Sequence, residues 1–156
     1  FSCWRELSAI VVAVVTGHAI GAGFQLALAA DLRILSDDAV LVMAEARLGL
    51  VPDLGGTGNL VQIVGYARAL EICATARRLD AARAERLGLA NTVIPRADFE
   101  SGVHRYLDTL RAVDPSVCRS IKGLMASGGS STRSGQLEAE RDAQVPLLRR
   151  LSASSG

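Results

Sequence analysis

Two carboxylates stand where their setting allows chemistry. Glu45 lies in Met43-Ala-Glu-Ala46, between apolar residues and just after a short β-branched stretch. A carboxylate there can line a cleft, where burial favours its protonated form and suits it to acid/base work. The same residues also read as a helix-starting or surface glutamate. Asp53, in Val51-Pro-Asp-Leu54, follows eight residues on, in a Gly-rich stretch where a turn or cap role is natural. The third feature is Gly17-x-x-x-Gly21-Ala22-Gly23, with His18 inside it. Glycines let a chain turn sharply and present its N–H groups. A helix starting there adds unpaired donors and partial positive charge, which suits an anion or a developing oxyanion. A tight packing turn has the same composition. His104, among Arg and Tyr on a helix, reads as a solvated face.

The elements around these residues follow from the hydrophobic pattern. Residues 9–16 are apolar and β-branched, which predicts a strand buried on both faces. The Gly-rich turn breaks it, and residues 24–30 read as a short Ala/Leu helix. Strands are predicted over 31–35 and 40–43, with Ser36-Asp-Asp38 as the turn between them. This alternation predicts an α/β protein with parallel pairing. Residues 48–57, with Pro52 and three glycines, predict a loop feeding a helix from about Gly58. Asp80 is placed to cap a helix over 81–87 that Gly88 ends. A strand over 91–94 stops at Pro95. Helices are predicted over 97–112 and 116–126, the second begun at Asp114-Pro115. Residues 127–135 read as a flexible linker to a helix over 136–151. The chain thus divides into an α/β core over 1–112, a helical region over 113–151 and a disordered tail over 152–156.

Composition removes several classes of function. The 156 residues are 49% hydrophobic but only 4% aromatic, so the core is built from Ala, Val, Leu and Ile. A net charge of +1 carries no basic surplus for nucleic acid. The longest apolar run, residues 9–15, is far short of the roughly 20 that a bilayer requires. Cys3, Cys73 and Cys118 form no CxxC, no disulfide framework and no zinc set, and a reducing cytoplasm is expected. No metal site is expected. The Gly-rich turn lacks the GxGxxG dinucleotide spacing, and neither a P-loop nor a GxSxG motif occurs.

Three blocks together carry a resemblance. Val11-Val-Ala-Val-Val-Thr-Gly-His-Ala-Ile-Gly-Ala-Gly-Phe-Gln-Leu-Ala-Leu-Ala-Ala-Asp-Leu-Arg33 closely resembles the central signature of the crotonase (enoyl-CoA hydratase/isomerase) superfamily. Glu45, Leu48-Gly49 and Pro52-x-x-Gly-Gly-Thr57 fall at that family's spacing. So do Ala82-x-x-Ala-Glu-x-Leu-Gly-Leu-Ala90 and Val93-Ile-Pro95. The resemblance implies a spiral core of ββα units followed by C-terminal helices, with the front part of the family's chain missing here. It implies a homo-oligomer, a trimer or dimer of trimers, with the Ala- and Leu-rich late helices packing between subunits.

The resemblance also implies an acyl-CoA thioester substrate, coenzyme A entering as part of it and no resident cofactor. The Ala22 N–H would be one donor to the thioester oxygen, holding the enolate that forms. The other donor, and much of the adenine site, would lie upstream of residue 1. Substrate contacts are implied at His18, Gly21, Gly23, Pro52 and Gly55. Family hydratases use two glutamates; the second matches Glu45, and the first matches position 25, where this chain has Gln25. An amide can orient a water but cannot carry a proton at neutral pH. Asp53 matches an acid used by dienoyl-type isomerases. Enoyl-CoA hydratase/isomerase chemistry is therefore expected, with Glu45 moving the proton and isomerisation favoured over hydration. The alternative is a catalytically impaired acyl-CoA-binding or assembly subunit.

Overall fold

Strands leave the chain in pairs and are dealt alternately to two sheets. A computed structural model describes residues 3–129 and 131–154. After the single turn of α1 (Cys3–Glu6) come β1 (Val12–Val15), β2 (His18–Ile20) and α2 (Ala22–Ala29). The pattern repeats with β3 (Leu32–Ser36), β4 (Val40–Val42), a 3-10 turn over Glu45–Leu48, α3 (Gly56–Val64) and α4 (Tyr66–Thr75). β5 (Leu79–Asp80), α5 (Ala81–Arg86), β6 (Thr92–Ile94) and α6 (Phe99–Arg111) complete this part. One sheet has the order β1-β3-β6, the other β2-β4-β5. All pairs are parallel except β4 with β5. This is the expected α/β spiral: two successive ββα turns, each sending its first strand to one sheet and its second to the other.

Several boundaries differ from the sequence reading. The Gly-rich turn is itself a strand, β2, because Val40 N–H bonds Gly17 O (2.7 Å) and the register runs His18 to Val40. Helix α3 begins at Gly56 instead of about Gly58. Asp80 caps α5 as expected, accepting from the Arg83 N–H at 2.7 Å.

Two compact units divide the chain: residues 1–7 with 11–108, and residues 8–10 with 109–156. In the first, Phe24, Leu28, Leu35, Leu41, Leu60 and Ile72 are fully buried. Arg33 is buried among them at 5% exposure. Its Nε donates to Leu89 O (2.8 Å) and its Nη1 to Ala30 O (2.9 Å), while its backbone N–H meets Asn91 Oδ1 (2.9 Å). Burial pulls its guanidinium below the ordinary value and Arg5 adds to this, with Asp31 opposing. The second unit is a hairpin of α7 (Pro115–Gly128) and α8 (Arg133–Ser154). Asp114 caps α7 through the Ser116 N–H (2.7 Å), with Pro115 in the first turn. The linker expected over 127–135 is shorter than its composition indicates. Helix α7 continues through Gly128, and Thr132 Oγ1 accepts the Gly135 N–H (3.2 Å) at the start of α8. Helix α8 also takes in Ser152–Ser154 of the expected tail; residues 155 and 156 lie outside the described residues. Among the described residues no helix is long and apolar enough to cross a membrane.

Candidate active site

The end of β4 brings the Gly-rich turn and Glu45 together. Val42 O accepts the Gly21 N–H at 2.8 Å, and three residues later the chain enters the 3-10 turn at Glu45. Gly21 has φ 53° and ψ −117°, a conformation that side chains rarely adopt. A Cβ there would also stand 3.4 Å from Glu45 Oε1. Ala22 follows as the first residue of α2, where an N–H has no acceptor inside the helix. Ala22 and Gly23 are exposed at this end. The fold thus sets the Gly-rich turn and the start of α2 against a carboxylate.

Gln25 joins the two through its side chain. It is 1% exposed, and its Nε2 donates to Glu45 Oε1 at 2.7 Å. Its Oε1 accepts the backbone N–H groups of Leu54 (2.9 Å) and Gly56 (3.2 Å). Gly55, the residue before α3, is left-handed with φ 84° and offers no side-chain cap. The amide oxygen of Gln25 caps that helix from α2 instead, which explains why α3 starts two residues early.

The 3-10 turn that carries Glu45 is anchored as well. Arg47, two residues on, donates from Nη2 to Ala76 O at 2.5 Å and ties the 3-10 turn to the end of α4. The half-buried Cys73 thiol on α4 is pushed up by burial and then by the negative charge of Glu45. Glu45 Oε2 is buried and has no hydrogen-bond partner among the described residues. A buried polar atom left without a partner costs free energy, so Oε2 is open to a group from outside the chain.

The other expected residues are placed less centrally. Asp53 is exposed, and its carboxylate makes no hydrogen bond or ion pair with the described residues. Pro52 is half-buried in the same loop. His18 is exposed on β2, with Nε2 3.5 Å from Arg78 Nη2. His18 and Gly23 also line an open groove of about 520 Å³ that runs along β1 to Trp4. Glu45 does not line that groove, so the groove and the Glu45 carboxylate are separate features. The sequence reading missed the two backbone donors at Leu54 and Gly56 and the contacts of Arg47 and Cys73. The paired glycines at 55 and 56 were the only visible sign of a close approach.

An α/β spiral of ββα turns, with a Gly-rich turn beside a half-buried glutamate, defines a crotonase-type fold. The chain belongs to the enoyl-CoA hydratase/isomerase family, whose model matches residues 2–156. It is 33% identical over 144 residues to a probable enoyl-CoA hydratase of Mycobacterium tuberculosis, covering 90% of this chain and 56% of that one. It is 37% identical over 117 residues to carnitinyl-CoA dehydratase of Proteus mirabilis, covering 75% of this chain and 45% of the relative. Among solved structures it is similar to a Thermobifida fusca protein, provisionally described as an enoyl-CoA hydratase and bound to acetoacetyl-CoA. That match has a TM-score of 0.91 and 47% identity, over 96% of this chain and 59% of that chain. The chain therefore spans about half the length of the relatives it matches.

Proposed function

We propose that the complete protein transforms an acyl-CoA thioester in the manner of an enoyl-CoA hydratase/isomerase. The observation that carries this reading is Glu45 Oε2, buried and unpartnered, beside the turn that presents the Ala22 N–H. The turn holds the thioester oxygen and stabilises the negative charge that develops on it. Glu45 takes a proton from one carbon and returns it to another. Coenzyme A enters with the substrate, and no resident cofactor is required. The Thermobifida fusca complex with acetoacetyl-CoA supports an acyl-CoA ligand for the fold.

Moving a double bond needs only a proton shuttle and an oxyanion donor. Adding water asks for a second group that can carry charge, and position 25 holds an amide. Isomerisation of a 3-enoyl-CoA to its 2-enoyl isomer is thus favoured over hydration. The same amide supports the second reading, an impaired subunit that binds acyl-CoA without turning it over. The three cysteines, free thiols in this structure, fit a cytoplasmic setting. The test is to assay the complete protein with 3-enoyl- and 2-enoyl-CoA while measuring acyl-CoA binding by calorimetry. Faster double-bond shift than hydration supports the first reading. Binding without turnover supports the second, and neither binding nor turnover overturns both.

A further inference from the structure

We infer that Gln25 is a positioning residue that fixes which oxygen of Glu45 does the work and couples it to the loop before α3. This rests on the proposed role of Glu45. Position 25 draws attention as a place for orienting water, but its amide oxygen and one of its two N–H groups are already engaged. The oxygen accepts two backbone N–H groups, from Leu54 and Gly56, and one N–H is spent on Glu45 Oε1. An amide oxygen has two lone pairs, so its accepting capacity is full. What the residue does is orient. Gln25 Nε2 holds Oε1, Oε2 alone remains to receive a proton, and the carboxylate plane is set by a side chain that is itself immobilised at 1% exposure. Reacting groups must be aligned closely, and small displacements are costly in rate.

The loop is part of the same device. Residues 52–55 lead into α3, and the Gln25 oxygen accepts one N–H from that loop, Leu54, and the first N–H of the helix, Gly56. A shift of that loop moves Gln25, and with it the hydrogen bond to Glu45. Gly56 enforces the contact, since a Cβ there would lie 2.6 Å from Gln25 Cγ and 3.0 Å from its Oε1.

Two variants of the complete protein test this, each made alone and with Glu45→Gln. Gln25→Met keeps the volume and loses both the donor and the acceptor. Its kcat for the double-bond shift is expected to fall roughly 10- to 100-fold, with KM changed less than about threefold, as misalignment in the transition state demands. In the Glu45→Gln background the same change should cost no more than about twofold further, because Gln25 acts through Glu45. Gln25→Glu keeps an oxygen for the α3 cap, so it protects the fold. Its contact to Glu45 then holds only while the two carboxyls share a proton. Cys73 on α4 is the titrating group that feels the Glu45 charge, while Arg47, two residues beyond Glu45, is engaged at Ala76 O. The kcat of Gln25→Glu should therefore acquire a fall on the alkaline side that wild type lacks, because an amide donor does not titrate. Wild-type kcat in Gln25→Met, equal losses in both backgrounds, or an unchanged pH profile in Gln25→Glu would each overturn the inference. If Glu45→Gln alone retains full activity, it is the proposed function that fails, and the two failures are told apart.

Discussion

The Cβ that Gly56 lacks would stand 2.6 Å from Cγ of Gln25, closer than two unbonded carbons can approach. The backbone of Gly56 is not left-handed, so glycine is present for space and not for conformation. Gly56→Ala must push α2 from α3 or drive Gln25 out of its hydrogen bonds. The expected cost is about 1–3 kcal/mol of stability, as for other overpacked sites, together with a loss of turnover. Urea unfolding beside a steady-state assay checks both; wild-type stability would show that the two helices yield freely.

Glu45→Gln keeps shape and removes the titrating group. Turnover of the complete protein should drop on the order of a hundred- to ten-thousand-fold, the usual contribution of general acid–base catalysis. Acyl-CoA affinity should stay within a few-fold. If near-normal rates persist, Asp53 becomes the group to test.

Gly102 on α6 is a control for packing away from the site. A Cβ there would meet Ile94 Cγ2 at 2.7 Å. Gly102→Ala should lower the melting temperature but leave kcat alone, and adding Ile94→Ala should recover part of the loss. Neither β6 nor α6 contributes a group to the site, so a fall in kcat at constant KM would contradict this placement.

Leu48, Val51 and Tyr66 of the first unit are 74%, 76% and 71% exposed. Exposed apolar side chains suit a partner surface where they join in one patch. The complete protein is expected to be a trimer or a pair of trimers, and light scattering at micromolar concentration that finds a monomer would refute this.

The sequence made the ββα order legible because strands buried on both faces are continuous apolar runs, and because Asp80 and Asp114-Pro115 mark helix starts chemically. It did not show β2, whose three residues lie between glycines and take their strand character from β4, some twenty residues on. Nor did it show that α3 starts at Gly56, since the capping oxygen belongs to Gln25, 31 residues earlier. Spacing located Glu45 and Gln25 separately. The hydrogen bond between them is a product of the spiral, which stacks one ββα turn on the next.

Arg33 ties Ala30 to Leu89, and Asn91 closes the same junction with a second bond, its N–H on Arg33 O at 2.9 Å. In terms of local opening, the end of α2, β3 and the approach to β6 form one cooperative unit that must come apart together. Amide hydrogen exchange should then report one common opening for the N–H groups of Asn91 and Asp37, the latter bonded to Ile94 O. Arg33→Lys replaces a planar fork by a single point charge and cannot serve both carbonyls in the same way. Exchange at Asn91 and Asp37 should accelerate in step, while the β2–β4 ladder behind Glu45 keeps its protection.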